Sequence, residues 1–269
     1  MTILSLNEGQ LVEFAKRIEL TGTQLLEGLH QSKRGGQGLE FHSTLPYSEG
    51  EDARFIDWRR FASSDKYFVR YYEREEKTSW SILIDHSKSM TYGNKSKWAR
   101  DFAGTLLFLA KVWGDRFQLF PLENMPLEEC FQALLQQKAG WAADASLPAW
   151  APMRGDRCVV ISDFFWDASL LEKMKMEYQS IASQLVLVQV LDPREQSFDF
   201  RYPQEFRDLE SSDRLILDPK AIRRRYQQAL QELKTNLPKG LLHPSFYMSV
   251  LSEGEDMQKQ LFHFFENVT

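Results

Sequence analysis

Short apolar runs alternate with amphipathic helix patterns between residues 79 and 192, and this alternation constrains the fold more than any other feature. The runs WSILI (80–84), RCVVIS (157–162) and QLVLVQVL (184–191) are too short for helices and are typical of strands buried on both faces. The segment between the first two begins with apolar side chains at helical spacing. Because parallel neighbours need crossover connections, this order predicts an α/β domain with a mostly parallel sheet.

The segments on either side of this core are predicted to form a smaller β-containing accessory region and an extension. Residues 1–78 carry two short helices, broken near Thr21-Gly22-Thr23, and then a β-rich region that includes a strand in YFVRYYERE. Residues 193–269 carry short β segments, a helix, a strand and a closing helix that complete the α/β domain. The α/β core itself is expected at residues 79–192.

The overall charge gives no reason to expect nucleic acid or a membrane as a ligand. The chain has 33 Lys and Arg against 38 Asp and Glu, a formal net charge of -5, so phosphate backbones and anionic lipids are not favoured partners. The charged first twenty residues and the absence of a long apolar stretch predict neither a signal peptide nor membrane insertion. Cys130 and Cys158 have no zinc-ligand spacing, and a reducing, cytoplasmic location is expected.

Three oxygen-bearing side chains directly follow the first apolar run. Asp85, Ser87 and Ser89 stand in a D-x-S-x-S pattern, and Asp163 ends a second run. The carboxyl ends of parallel strands meet at one edge of a sheet, where ligands collect. One carboxylate and two hydroxyls, with a second carboxylate reaching in directly or through water, suit a hard cation such as Mg²⁺. The alternatives are that a serine caps the next helix and that Asp163 is a turn residue.

The D-x-S-x-S pattern between a strand and a helix resembles the metal-ion-dependent adhesion site of von Willebrand factor A domains. The resemblance includes the later strand-terminal Asp163. It implies a Rossmann-like fold of von Willebrand factor A type and a bound Mg²⁺ or Mn²⁺ that accepts a carboxylate from a partner. In that family a loop threonine completes the site. This chain has no threonine between Asp115 and Asp163, and the nearest hydroxyl candidate is Ser146.

A longer resemblance covers most of the chain, from about Gly35 to the end. The stretch before the core is similar to bacterial proteins of domain-of-unknown-function family fifty-eight, and LDPRE (191–195) and Tyr226 fit the same pattern. The upstream positions that carry it are Gly50, Asp52, Arg54, Ile56, Asp57, Trp58, Arg70 and Glu73. The resemblance implies a non-enzymatic adaptor or co-chaperone whose protein partner is a MoxR-type AAA+ ATPase.

The segment DARFIDWRRF supports two interpretations. One is a partner-binding surface formed by Asp52, Arg54, Asp57 and Trp58. The favoured one is that Asp52, Arg54, Asp57 and Arg59 form charge-paired contacts that fasten the accessory region to the core, while Trp58 fills the interface.

Two further functions remain open. Asp85 after an apolar strand also fits the nucleophile of a Mg²⁺-dependent phosphate-ester hydrolase. Such enzymes of the haloacid-dehalogenase type place a second acid two positions on, where this chain has Ser87. The other possibility is a degenerate A domain that binds its partners without metal.

Overall fold

The structure is a computed structural model that describes residues 8–32, 41–46, 68–72, 78–122, 125–138, 140–141, 156–200, 202, 204–207 and 214–268. The chain divides into two compact units, one formed by Met1–Leu25 with Thr78–Thr269 and the other by Leu26–Lys77. The larger unit contains the parallel sheet and the site described below.

The elements in chain order are α1 (Glu8–Ser32), β1 (Phe41–Pro46), β2 (Phe68–Tyr72), β3 (Ser79–Ile84), α2 (Lys95–Trp113), β4 (Arg116–Leu119), α3 (Leu127–Leu135), β5 (Arg157–Ser162), α4 (Ala168–Gln179), β6 (Gln184–Leu191), α5 (Pro193–Ser197), β7 (Gln204–Arg207), β8 (Arg214–Leu217), α6 (Pro219–Asn236), β9 (Phe246–Leu251) and α7 (Met257–Asn267).

A five-stranded sheet forms the centre of the larger unit. Its strand order is β4-β3-β5-β6-β9, and every neighbouring pair is parallel. All residues of β3 and β6 are buried, so both faces of the sheet are covered, as parallel sheets require. The predicted α/β class with a mostly parallel sheet is confirmed.

The strand order places a topological switch point between β3 and β5. From β3 the chain adds β4 on one side, and it then crosses to add β5, β6 and β9 on the other side. Ligands of open α/β sheets bind outside the carboxyl ends of the strands at such a point. Asp85 and Asp163 are the residues that directly follow β3 and β5. The fold therefore brings both predicted acids to the switch point.

One continuous helix, α1, spans residues 8–32, and the predicted break near Thr21-Gly22-Thr23 is wrong. Gly22 lies against the ring of Phe108 in α2, where an added Cβ would stand 2.5 Å from a ring carbon. The Thr21 hydroxyl donates a 3.0 Å hydrogen bond to the carbonyl of Arg17 within the helix. Glycine at position 22 therefore permits close packing of two helices and does not end the first one.

In the part of the chain that the structure describes, two antiparallel strand pairs lie outside the parallel sheet. β1 pairs with β2, and β7 pairs with β8. The strand predicted in YFVRYYERE is confirmed as β2, and the short β segments predicted after residue 193 are confirmed as β7 and β8.

Candidate metal centre at the carboxyl edge of the sheet

Asp85 is held at the end of β3 by three hydrogen bonds. Its Oδ1 accepts from the Ser87 backbone N–H at 2.7 Å, and its Oδ2 accepts from Ser162 Oγ at 2.6 Å and from Trp166 Nε1 at 2.9 Å. The residue is only 2% exposed. Burial raises the pKa of the Asp85 carboxyl, as does the charge of Asp163, while the three hydrogen bonds lower it. The surrounding donors favour the carboxylate form, which accepts hydrogen bonds at both oxygens.

The hydroxyl groups of Ser87 and Ser89 lie next to each other. Their Oγ atoms are 3.0 Å apart. A 3₁₀ turn begins at Lys88, and Ser87 stands at its N-cap position without a side-chain capping hydrogen bond. The capping role considered for Ser87 is therefore not seen. The two hydroxyls form a pair within the loop that also binds Asp85.

The side chain of Asp163 is bound to a lysine. Lys95 Nζ donates to Asp163 Oδ2 at 2.9 Å and to Glu195 Oε1 at 2.6 Å, and the side chains of Lys95 and Asp163 are fully buried. The other oxygen of Asp163, Oδ1, accepts a 3.2 Å hydrogen bond from the backbone N–H of Phe165. Both carboxylate oxygens of Asp163 are thus engaged by the protein itself.

Glu195 links this ion pair to the turn after β6. Its Oε2 accepts from the backbone N–H of Asp192 at 2.9 Å and forms a capping box at the start of α5. Burial raises the pKa of Glu195, and the neighbouring Lys95 lowers it. Gly93, in the loop before α2, closes onto the same turn, because a Cβ there would stand 2.0 Å from Asp192 Oδ2.

The loop after β5 turns one aromatic side chain inward and the next one outward. Phe164 is buried in the core and has a φ of 57°, a conformation that costs a bulky residue on the order of 1–3 kcal/mol. Phe165 is 44% exposed, and its ring centroid lies 5.5 Å from Lys95 Nζ. The ring of Tyr92 lies 5.9 Å from the same ammonium group. An aromatic border, defined as Tyr92, Phe165 and Trp166, therefore flanks the site.

The donors at this edge are oxygen atoms, which is the ligand type that Mg²⁺ requires. They are the carboxylate of Asp85 and the hydroxyls of Ser87 and Ser89. Within the described ranges, no three His, Cys, Asp or Glu side chains form a group that could hold a metal ion. The oxygen donors of Asp85, Ser87 and Ser89 are of the chemical type that binds a hard cation. Asp163 is not among them, because it is paired with Lys95.

The other predicted site residues lie outside the described residues. They are Ser146, Asp52, Arg54, Asp57 and Trp58.

Four contact residues of the site were not identified from sequence: Lys95, Ser162, Trp166 and Glu195. Glu195 lies in the LDPRE segment, so the family resemblance offered a signal for it. Lys95 offered none, because a lysine in the first turn of a helix is normally solvated.

Comparisons with known proteins find a family model that matches part of the chain. A sequence model described as "Protein of unknown function DUF58" matches residues 43–136, which confirms that part of the predicted resemblance. The uncharacterized protein Rv1480 of Mycobacterium tuberculosis (strain ATCC 25618 / H37Rv) is 25% identical over 219 residues, covering 71% of this chain and 68% of that protein. The uncharacterized protein Mb1516 of Mycobacterium bovis matches to the same extent, with 25% identity over 219 residues.

A structural comparison finds the conserved hypothetical protein BatB from Bacteroides thetaiotaomicron. Its crystal structure superposes with a TM-score of 0.36 and 14% sequence identity, over 71% of this chain and 99% of that chain. At this TM-score the match carries no argument about the site.

Among the described helices, none combines the length and apolar character needed to cross a bilayer.

Proposed function

We propose that the chain is a non-enzymatic protein-interaction module of von Willebrand factor A type that binds its partner at the carboxyl edge of the sheet. The observation that carries the proposal is the 3.0 Å pair of Ser87 and Ser89 hydroxyls in the loop that binds the buried Asp85. This oxygen cluster lies at the topological switch point, where α/β sheets bind ligands.

In the proposed function, Asp85, Ser87 and Ser89 hold Mg²⁺ or Mn²⁺. A cation with one carboxylate and neutral hydroxyl ligands keeps net positive charge, so it supplies an attachment point for a carboxylate of the partner protein. The chain's own residues shape the rest of the contact. Ser162 and Trp166 fix the Asp85 carboxylate, and Phe165 offers an exposed ring beside Lys95.

The partner, by the family resemblance, is a MoxR-type AAA+ ATPase, for which this chain is an adaptor or co-chaperone. The exposed Phe165 supports a protein partner, because aromatic side chains beside a desolvated polar contact are typical of the strongest interface positions.

The hydrolase alternative is less well supported by the geometry. A nucleophilic carboxylate must reach the phosphorus atom of a substrate, whereas Asp85 is only 2% exposed. Enzymes of this type have a carboxylic acid two residues after the nucleophile as their general acid, and this chain has Ser87 at that position.

Metal-independent binding is a second candidate, and the Lys95 contacts favour it. Asp163 is already ion-paired inside the protein with a fully buried ammonium group. A partner could then dock on the aromatic border without any bound ion.

Binding to the purified MoxR-type ATPase of the same organism, with Mg²⁺ or with EDTA, separates these functions. We expect EDTA and Ser87→Ala each to weaken binding by at least about tenfold, since losing one partner of a buried charged contact costs on the order of 2–5 kcal/mol. The matched control is Ser180→Ala at the end of α4, where the exposed hydroxyl donates to the carbonyl of Glu177 in the same helix.

Each outcome assigns one function. Binding that resists both EDTA and Ser87→Ala would establish the metal-independent module and contradict the metal-dependent one. Mg²⁺-dependent turnover of p-nitrophenyl phosphate that Asp85→Asn abolishes would replace both with the hydrolase.

A further inference from the structure

Lys95 forms an ion pair with Asp163, the residue that the sequence predicts as the second carboxylate of the metal site. Its ammonium lies 2.9 Å from Asp163 and 2.6 Å from Glu195, and the lysine side chain is fully buried. Lysine is almost never fully buried unless it is paired. The ion pair is therefore a structural part of the site and not a surface contact.

The ammonium group is also fixed from several directions. Glu195 is anchored by the capping box of α5, and the rings of Tyr92 and Phe165 lie within 6 Å of the ammonium, at 5.9 and 5.5 Å. Such contacts stabilise a cation that is removed from water. Lys95 thus has two acidic partners and an aromatic surround that together hold it against Asp163.

Asp163 lies at the same edge of the sheet as the Asp85 site. Asp85 and Asp163 directly follow the adjacent parallel strands β3 and β5, and Ser162 and Trp166, on either side of Asp163 in the chain, both donate hydrogen bonds to the Asp85 carboxylate. A cation held by Asp85, Ser87 and Ser89 would be attracted to Asp163, but both oxygens of that carboxylate already accept hydrogen bonds, one of them from Lys95.

We propose that Lys95 competes with the metal ion for the carboxylate of Asp163. By withholding that ligand, Lys95 lowers the affinity of the site for metal. The proposal rests on the metal-binding function proposed above. It implies that the site gains a carboxylate ligand only when Lys95 is displaced.

A different result is expected if the ion pair between Lys95 and Asp163 only stabilises the fold. Removing Lys95 would then destabilise the fold and leave the metal affinity unchanged. Under the competition proposal, removing its charge frees Asp163 and strengthens metal binding, even though it weakens the apo protein.

The test is calorimetric titration with MnCl₂ of the full chain and of Lys95→Met. We expect Lys95→Met to bind Mn²⁺ more tightly by about tenfold or more, the scale on which groups around metal ligands change affinity. Adding Asp163→Asn to that variant should remove the gain. Lys97→Met, which removes an exposed charge from the same helix, is the control and should leave the affinity unchanged.

A second measurement keeps the proposal testable if Lys95→Met does not fold. The double variant Lys95→Met with Glu195→Gln removes one positive and one negative charge, so it frees Asp163 without changing the net charge of the cluster, and it should also bind Mn²⁺ more tightly by about tenfold. An affinity equal to that of the unaltered chain would show that Lys95 does not withhold Asp163 from the metal, and would overturn the proposal.

The remaining outcomes distinguish this inference from the proposed function. If the unaltered chain and Lys95→Met bind Mn²⁺ with equal affinity, Lys95 is structural, and the inference fails while the metal site stands. If neither protein binds Mn²⁺, the metal site and the inference fail together.

Discussion

The indole N–H of Trp166 donates a 2.9 Å hydrogen bond to Oδ2 of Asp85. The bond joins the loop after β5 to the end of β3, so it fixes the carboxylate on which the candidate metal site depends. The same oxygen accepts from Ser162 at 2.6 Å. The orientation of Asp85 is therefore set by β5 and its loop as well as by its own strand.

Trp166→Phe should destabilise the protein more than Trp98→Phe. Hydrogen bonds to charged groups contribute about 1.5–3 kcal/mol and neutral ones about 1 kcal/mol. Trp98 Nε1 donates at 2.8 Å to the neutral side chain of Gln260, so it is a matched control. Urea unfolding at neutral pH measures both variants. Equal losses would indicate that the Asp85 contact has no charged character.

The stability of the unaltered protein relative to Asp85→Asn should depend on pH. Burial raises the pKa of Asp85 above its ordinary value of 3.8, so the folded state binds this proton more tightly than the unfolded state. The stabilising contribution of protonated Asp85 is present below 3.8 and is lost as the pH rises through the raised pKa.

The Asn variant has no such titration, so the stability gap should shift in its favour as the pH rises through this window. Unfolding free energies at several pH values measure the gap. A gap that stays constant, or that shifts toward the unaltered protein, would contradict the raised pKa.

Phe165→Ala should weaken partner binding with little effect on the fold. Phe165 is 44% exposed at the site, and truncating an interface aromatic that carries the binding energy costs about 2 kcal/mol or more. Met176→Ala is the control, because Met176 is 68% exposed on α4. Affinity for the MoxR-type ATPase is the measurement. Equal effects of the two changes would place the interface elsewhere.

The sheet could be predicted from sequence because its strands are buried on both faces. β3, β5 and β6 are continuous apolar runs in the sequence, and the polar residues that end them mark the carboxyl edge. This pattern was sufficient to place Asp85 and Asp163 after neighbouring strands. It carried no information on the partners of those acids.

The partner of Asp163 could not be predicted, because it depends on a distant contact. Lys95 and Lys97 both lie in the first turn of α2, and local sequence does not distinguish the buried lysine from the exposed one. Only the packing of α2 against the carboxyl edge, where Glu195 arrives from α5, makes position 95 an internal ion pair.

The continuity of α1 escaped prediction for the same reason. Gly22 weakens a helix by local propensity, and its compensating contact is Phe108, 86 residues further along the chain. Gly104 has the same role from the α2 side, because a Cβ there would stand 3.1 Å from Phe14 and 3.2 Å from Ile18. Small residues on both helices allow α1 and α2 to approach closely.

Gly22→Ala should therefore destabilise the protein, although alanine is the better helix former. Propensity alone predicts a gain of about 1 kcal/mol, whereas overpacking a close contact costs about 1–3 kcal/mol. The added Cβ would stand 2.5 Å from the Phe108 ring, so we expect a net loss in the free energy of unfolding. The double variant Gly22→Ala with Phe108→Ala removes the clash, and the alanine at position 22 should then become favourable relative to Phe108→Ala alone. Stabilisation by Gly22→Ala in the presence of Phe108 would show that α1 does not pack on α2 at this position.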